Sequence, residues 1–139
     1  MRSLTFSVLL ALPIAVAFGG GKEPSAAGPQ YDPDKVVTVT AIVTDVREVP
    51  KGDPLEGINL TVKVNGETIR AYVAPVAFVK LFSVTFKKND VLEITGSKVR
   101  FEGSDLILTR ELTRFQTDMI LRDQSGRPFW LKSDIPTGD

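Results

Sequence analysis

Ile58-Asn59-Leu60-Thr61-Val62-Lys63-Val64-Asn65-Gly66-Glu67-Thr68-Ile69-Arg70-Ala71-Tyr72-Val73 holds two alternating runs around Asn65-Gly66. That dipeptide favours a two-residue type I′ hairpin, because both central positions of the turn need positive φ. Counting outward from the turn sets Val62 opposite Ile69, Leu60 opposite Ala71 and Ile58 opposite Val73. The same register sets Lys63 against Thr68, Thr61 against Arg70 and Asn59 against Tyr72. One face is then wholly apolar and the other wholly polar. A slip of one residue would mix the two sets, so turn chemistry and alternation specify the same pairing.

Upstream, Val36 to Val46 is a long β-branched run with Val37, Val39, Ala41 and Val43 on one side. Its length suits a first strand that bends and pairs in both halves of a small barrel. Pro50-Lys51-Gly52-Asp53-Pro54 ends it in a loop. Downstream, Pro75 to Ser83 is apolar almost all round, with Pro at a first helical turn; it predicts a short helix against the barrel mouth, with a strand as the competing reading. Lys87-Lys88-Asn89-Asp90 turns into Val91 to Phe101, where Val99 and Phe101 fall on the opposite parity from Leu92 and Ile94. A β-bulge near Gly96 to Lys98 would return both to the core face. Leu106, Leu108 and Leu112 share a parity in a fifth strand that Arg110 interrupts. Met119 to Trp130 reads as a small closing hairpin around Asp123-Gln124-Ser125-Gly126.

The ends set the address. Arg2 followed by an apolar run to Phe18, with Ala15-Val16-Ala17, predicts a cleaved secretory signal over 1–18. The run is shorter than the roughly 20 residues a membrane span needs, so no stable span is expected after cleavage; an uncleaved anchor is the competing reading. A disordered linker is expected over 19–35, where Pro, Gly, Ala and Ser are frequent, and one folded domain over 36–139. Without cysteine there is neither a disulfide nor a thiol to acylate, so the core alone must stabilise an exported chain. Loss of Arg2 with the signal leaves cations one short of the 17 acids, a net charge of −1 that disfavours nucleic-acid binding through bulk charge.

Three strands, a short helix and two further strands follow the order of the OB-fold, a five-stranded, partly open barrel. With the export signal, the Thr- and Val-rich first strand and the Asn-Gly hairpin, the segment Lys87-Lys88-Asn89-Asp90-Val91-Leu92-Glu93-Ile94-Thr95-Gly96-Ser97 resembles small exported bacterial OB-fold proteins. Leu121-Arg122-Asp123-Gln124-Ser125-Gly126-Arg127-Pro128-Phe129-Trp130 is similar to uncharacterised relatives of that periplasmic bacterial OB-fold family. The likeness covers Tyr31 to Trp130 and implies an all-β, five-stranded OB-fold-like barrel with one short helix between strands 3 and 4 and a small C-terminal hairpin. Ala74-Pro75-Val76-Ala77-Phe78 lacks the Trp of the family's helix start, so no ligand site is carried over to the helix.

The chain contains neither His nor Cys, which removes imidazole and thiolate chemistry. Asp32, Asp34, Asp45, Glu48, Asp53 and Glu56 cluster near the ends of the first strand without an EF-hand spacing, and a solvated acidic loop is preferred to a calcium site. A Ser97–Lys98 dyad would point to opposite faces of a regular strand. No enzyme, metal or cofactor is expected. The candidate site is the polar hairpin face, Asn59, Thr61, Lys63, Thr68, Arg70 and Tyr72, since strands two and three are the usual ligand platform of OB-folds. Its plainest reading is a solvated sheet face with ordinary cross-strand pairs. The functional expectation is a periplasmic or secreted, non-enzymatic module that binds a small molecule, peptide or envelope protein. A single-stranded nucleic-acid or anionic-polymer binder using Lys63, Arg70 and Tyr72 is the alternative; a structural or stress-protective envelope protein is the third.

Overall fold

A computed structural model of the protein describes residues 28–131. The expected signal 1–18, most of the 19–35 linker and residues 132–139 lie outside the described residues. The chain passes a 3-10 turn at Pro33–Lys35, then β1 (Val36–Val49), β2 (Gly57–Val64), β3 (Glu67–Ala74), α1 (Val76–Lys80), β4 (Val91–Phe101), β5 (Ser104–Arg114) and β6 (Thr117–Ile120). β1 serves both halves of the sheet: Val36 to Ile42 pair with β4, and Ile42 to Val49 pair with β2. β3 closes onto β5 in parallel through Arg70, Ala71 and Tyr72 against Leu106, Ile107 and Leu108. The result is the expected five-stranded, OB-fold-like barrel, with β6 added outside it along β5.

Asn65 and Gly66 both take positive φ, and the register from Lys63↔Thr68 to Asn59↔Tyr72 follows as predicted. The expected Ile58–Val73 pair does not form. Ile58 sits opposite Ala74, and Val73 is the extra residue of a bulge. Gly57 forces this: at φ 123° it lies so close to the Ala74 carbonyl that a Cβ there would collide with backbone.

Two further bulges set the faces. Thr44 is skipped between Val43↔Val62 and Asp45↔Thr61, so Val46 joins the interior and Arg47 points outward beside Asn59. The expected bulge near Gly96 to Lys98 in β4 is corrected, because the extra residue is Arg110 in β5, between Thr95↔Glu111 and Gly96↔Thr109. β4 keeps its alternation, and Val99 and Phe101 stay on the outer face. Arg110 uses the freed carbonyl to accept from the backbone N–H of Leu121 at 2.7 Å, which holds the strand end after β6.

The barrel interior is filled by Ala41, Val43, Leu60, Val62, Ala71, Val73, Leu92, Ile94, Ile107, Leu112, Met119 and Leu121. A second apolar layer lies on the outside of β3, β4 and β5. Leu55, Tyr72, Leu106 and Leu108 are buried there beneath Tyr31, Val99, Phe101 and Trp130. Leu106 and Leu108 therefore belong to this outer layer, and Ile107 is the inward residue. The folded unit also starts before Val36: Ser97 Oγ donates to the Asp32 carbonyl at 2.8 Å and accepts from the Asp32 N–H at 2.9 Å. Of the short helix α1 only Val79 is buried, while Phe78 packs edgewise on Phe82 and leans on Trp130 at 5.5 Å.

Candidate ligand cleft

A cleft of about 800 Å³ opens between the β2–β3 hairpin and the β4–β5 hairpin. It exists because β3 and β5 join only from Arg70↔Leu106 onward, which leaves Glu67 to Ile69 without a strand on that side. Its apolar wall is Val37, Val39, Ile69 and Ile107; its polar wall includes Arg47, Asn59, Thr61, Thr68, Arg70, Lys98 and Asp105. Its volume falls within the roughly 300–1,000 Å³ typical of small-molecule and cofactor sites.

The six candidate side chains divide. Thr61 and Arg70 are half-buried and Thr68 is exposed, and all three line the cleft. Lys63 is exposed on the same hairpin face but outside the cleft. Asn59 is 2% exposed at the cleft floor; its amide donates to the Leu55 carbonyl at 2.9 Å, and its Oδ1 has no partner. Tyr72 is 6% exposed and departs from the expected exposed stacking ring. The physical cause is the outer apolar layer: Trp130 meets its ring edge-on at 6.2 Å, and its hydroxyl donates to the Glu56 carbonyl at 2.7 Å. Burial pushes the Tyr72 phenol up to about 12.

Two cleft cations were not legible in the alternation. Arg47 arrives through the Thr44 bulge, and Lys98 through the unbroken parity of β4. Lys98 approaches Asp105 at 4.0 Å, and Asp105 also accepts from Arg100 at 3.3 Å. Arg47 and Arg70 have no carboxylate partner among the described residues. Two guanidiniums, two threonine hydroxyls and an apolar wall suit an anionic group carried on an apolar body.

Beside this cleft the chain covers its own outer sheet with a packed cation. Arg122 is buried between Tyr31, 5.7 Å from the ring centroid, and Trp130, at 5.1 Å, and it donates to the Gly126 carbonyl at 2.9 Å. Burial lowers its pKa, with the Tyr72 and Tyr31 phenols opposing. Asp90, by contrast, accepts from Arg114 at 3.0 Å and from the Lys87 N–H at 2.8 Å, so Arg114 and the Lys87-Lys88 turn are structural. Among the described residues no group of three acidic side chains is placed to hold a metal ion, and no helix is long and apolar enough to cross a membrane.

A family model described as the MamS/MamX magnetosome protein family matches residues 35–118, the five barrel strands and the start of β6. No curated protein matches the chain. The expected kinship with periplasmic bacterial OB-fold proteins is therefore kept only as a shared small-barrel architecture. Because the match spans more than half of the 139 residues, the chain belongs to the MamS/MamX magnetosome protein family.

Proposed function

We propose that this protein is a non-enzymatic binding module, exported to the periplasm or beyond, that serves the magnetosome setting named by its family and takes its ligand in the cleft between the two hairpins. The observation that carries this reading is the pair of guanidiniums, Arg47 and Arg70, without a carboxylate partner among the described residues, beside the apolar wall of an open cleft of about 800 Å³. Isolated cations on a sheet face are ordinary, whereas cations converging on an apolar hollow of ligand size fit a recognition site. The ligand is a small molecule, a peptide or a protein partner, selected by the chemistry of the cleft and not by the fold. The single-stranded nucleic-acid alternative finds less support, since its stacking ring, Tyr72, lies under Trp130.

A photo-crosslinking residue at Thr68 on the cleft rim, compared with one at Thr40 on the outer face of β1, tests the reading in the native host. A discrete adduct from Thr68 and none from Thr40 is the expected outcome. Equal labelling from both positions, or none from Thr68, overturns it.

A further inference from the structure

Between the two hairpins the barrel wall is open beside Glu67 to Ile69. In a two-residue hairpin the closing pair, here Val64 and Glu67, exchanges hydrogen bonds, and bonding then alternates along the strands. The main-chain groups of Thr68 therefore point away from β2, toward the side where β3 has no neighbour until Arg70 meets Leu106. A free edge of this kind is a template for an added strand.

The side chains along that edge alternate in chemistry. Thr68 and Arg70 share one face, and Ile69 takes the other, next to Ile107, Val37 and Val39. An added strand would thus have one face opposite a hydroxyl and the Arg70 guanidinium and the next residue opposite aliphatic carbon. Arg47 stands on the same outer face across β2, beside Asn59. Glu67 is the opposing charge at the hairpin end; Asp105 is already engaged by Lys98 and Arg100. The volume is several times that of a small dicarboxylate and suits a segment of a few residues.

We infer that the cleft takes an extended peptide of alternating acidic and apolar residues, which adds to the free edge of β3 at Thr68 and places its carboxylates at Arg70 and Arg47. Main-chain bonding would give affinity without sequence demand, and the alternating side chains would give selectivity. This rests on the binding-module reading and assigns its ligand class.

The test is an NMR titration of the full chain with acetyl-Glu-Ile-Glu-Val-Glu-amide. Comparison titrations use its Lys-for-Glu counterpart, a version N-methylated at the central residue, and succinate. The acidic peptide is expected to bind saturably and to shift the amides of Thr68 to Arg70, Ser104 and Asp105. Arg70→Glu and, separately, Thr68→Pro should each weaken it at least about tenfold, the scale of one charge-assisted contact or one lost edge pairing. Thr68→Pro removes an N–H that the β2 ladder does not use, so the hairpin survives and loss of binding is not loss of fold. Equal binding of the Lys peptide or of the N-methylated peptide overturns the inference, as do the same shifts from succinate alone or no binding at all. If the acidic peptide fails while the Thr68 crosslink persists, only the peptide assignment falls; if both fail, the binding-module reading falls with it.

Discussion

Single residues show how part of the outer face is given over to packing. Tyr72 sits on the polar side of the hairpin by parity, yet its ring is covered and its hydroxyl satisfied by Glu56. A phenol raised to about 12 against an ordinary 10 favours the fold while it stays protonated. Its contribution is complete below pH 10 and is lost as pH rises from 10 toward 12. Tyr72→Phe should cost about 1 kcal/mol at pH 7 through the lost hydrogen bond and should flatten the fall in stability above pH 10, measured by urea unfolding across that range. Glu111 is shifted in the same direction, yet at neutral pH the sign of its contribution is reversed. Its carboxyl is raised chiefly by the neighbouring Asp118 carboxyl, then by burial, so its charged form opposes folding at neutral pH and the penalty fades as pH falls. Because water still reaches this half-buried site, Glu111→Gln should stabilise by only about 0.3 kcal/mol at pH 7, a gain that shrinks in acid. Gly96 is constrained by proximity: a Cβ would strike the Leu108 carbonyl of the facing strand. Gly96→Ala should therefore lower stability by about 1–3 kcal/mol in the same unfolding experiment.

At the scale of elements, the bulges decide which residues reach the cleft. The hairpin could be read from sequence because its turn and its alternation are contiguous and agree. The bulges at Thr44, Val73 and Arg110 could not, since each lies several residues from the turn that joins its two strands, where turn chemistry no longer fixes the register. The parity break between Ile94 and Val99 was visible, but it has two solutions. An extra residue in β4 would put Val99 in the barrel; the extra residue is in β5, and Val99 lies in a second apolar layer that alternation alone does not announce. The same blind spot hid Arg47 and Lys98 and made Tyr72 look available. Thr61, Thr68 and Arg70 were legible because they lie within the first four cross-strand pairs from the turn. The second layer depends on the segment after β6. Trp130 touches Tyr72, Phe78 and Arg122 at once, so Trp130→Ala should cost about 2–3 kcal/mol, less than a fully buried Trp, and should release Tyr31 and Arg122 from their stack. Thermal unfolding with near-ultraviolet circular dichroism of the tyrosines reads both effects.

Across the whole molecule, the barrel is closed where stability needs it and open where recognition is proposed. β1 spans both halves of the sheet and Asp90 ties the turn before β4 to Arg114, so the closed side is held by long-range pairs. The opposite wall joins β3 and β5 over three residues only. Two hairpin tips then flank a gap with aliphatic, hydroxyl and guanidinium groups around it, and the cleft follows from topology more than from any single motif. The most direct measurement is native-state hydrogen exchange of the β3 amides in the unliganded chain. Fast exchange is expected at Thr68, whose N–H faces the open gap, beside slow exchange at Ile69 and Arg70, which bond to β2 and β5. Protection of Thr68 equal to that of Ile69 would mean that the edge is already covered, and would contradict an open cleft.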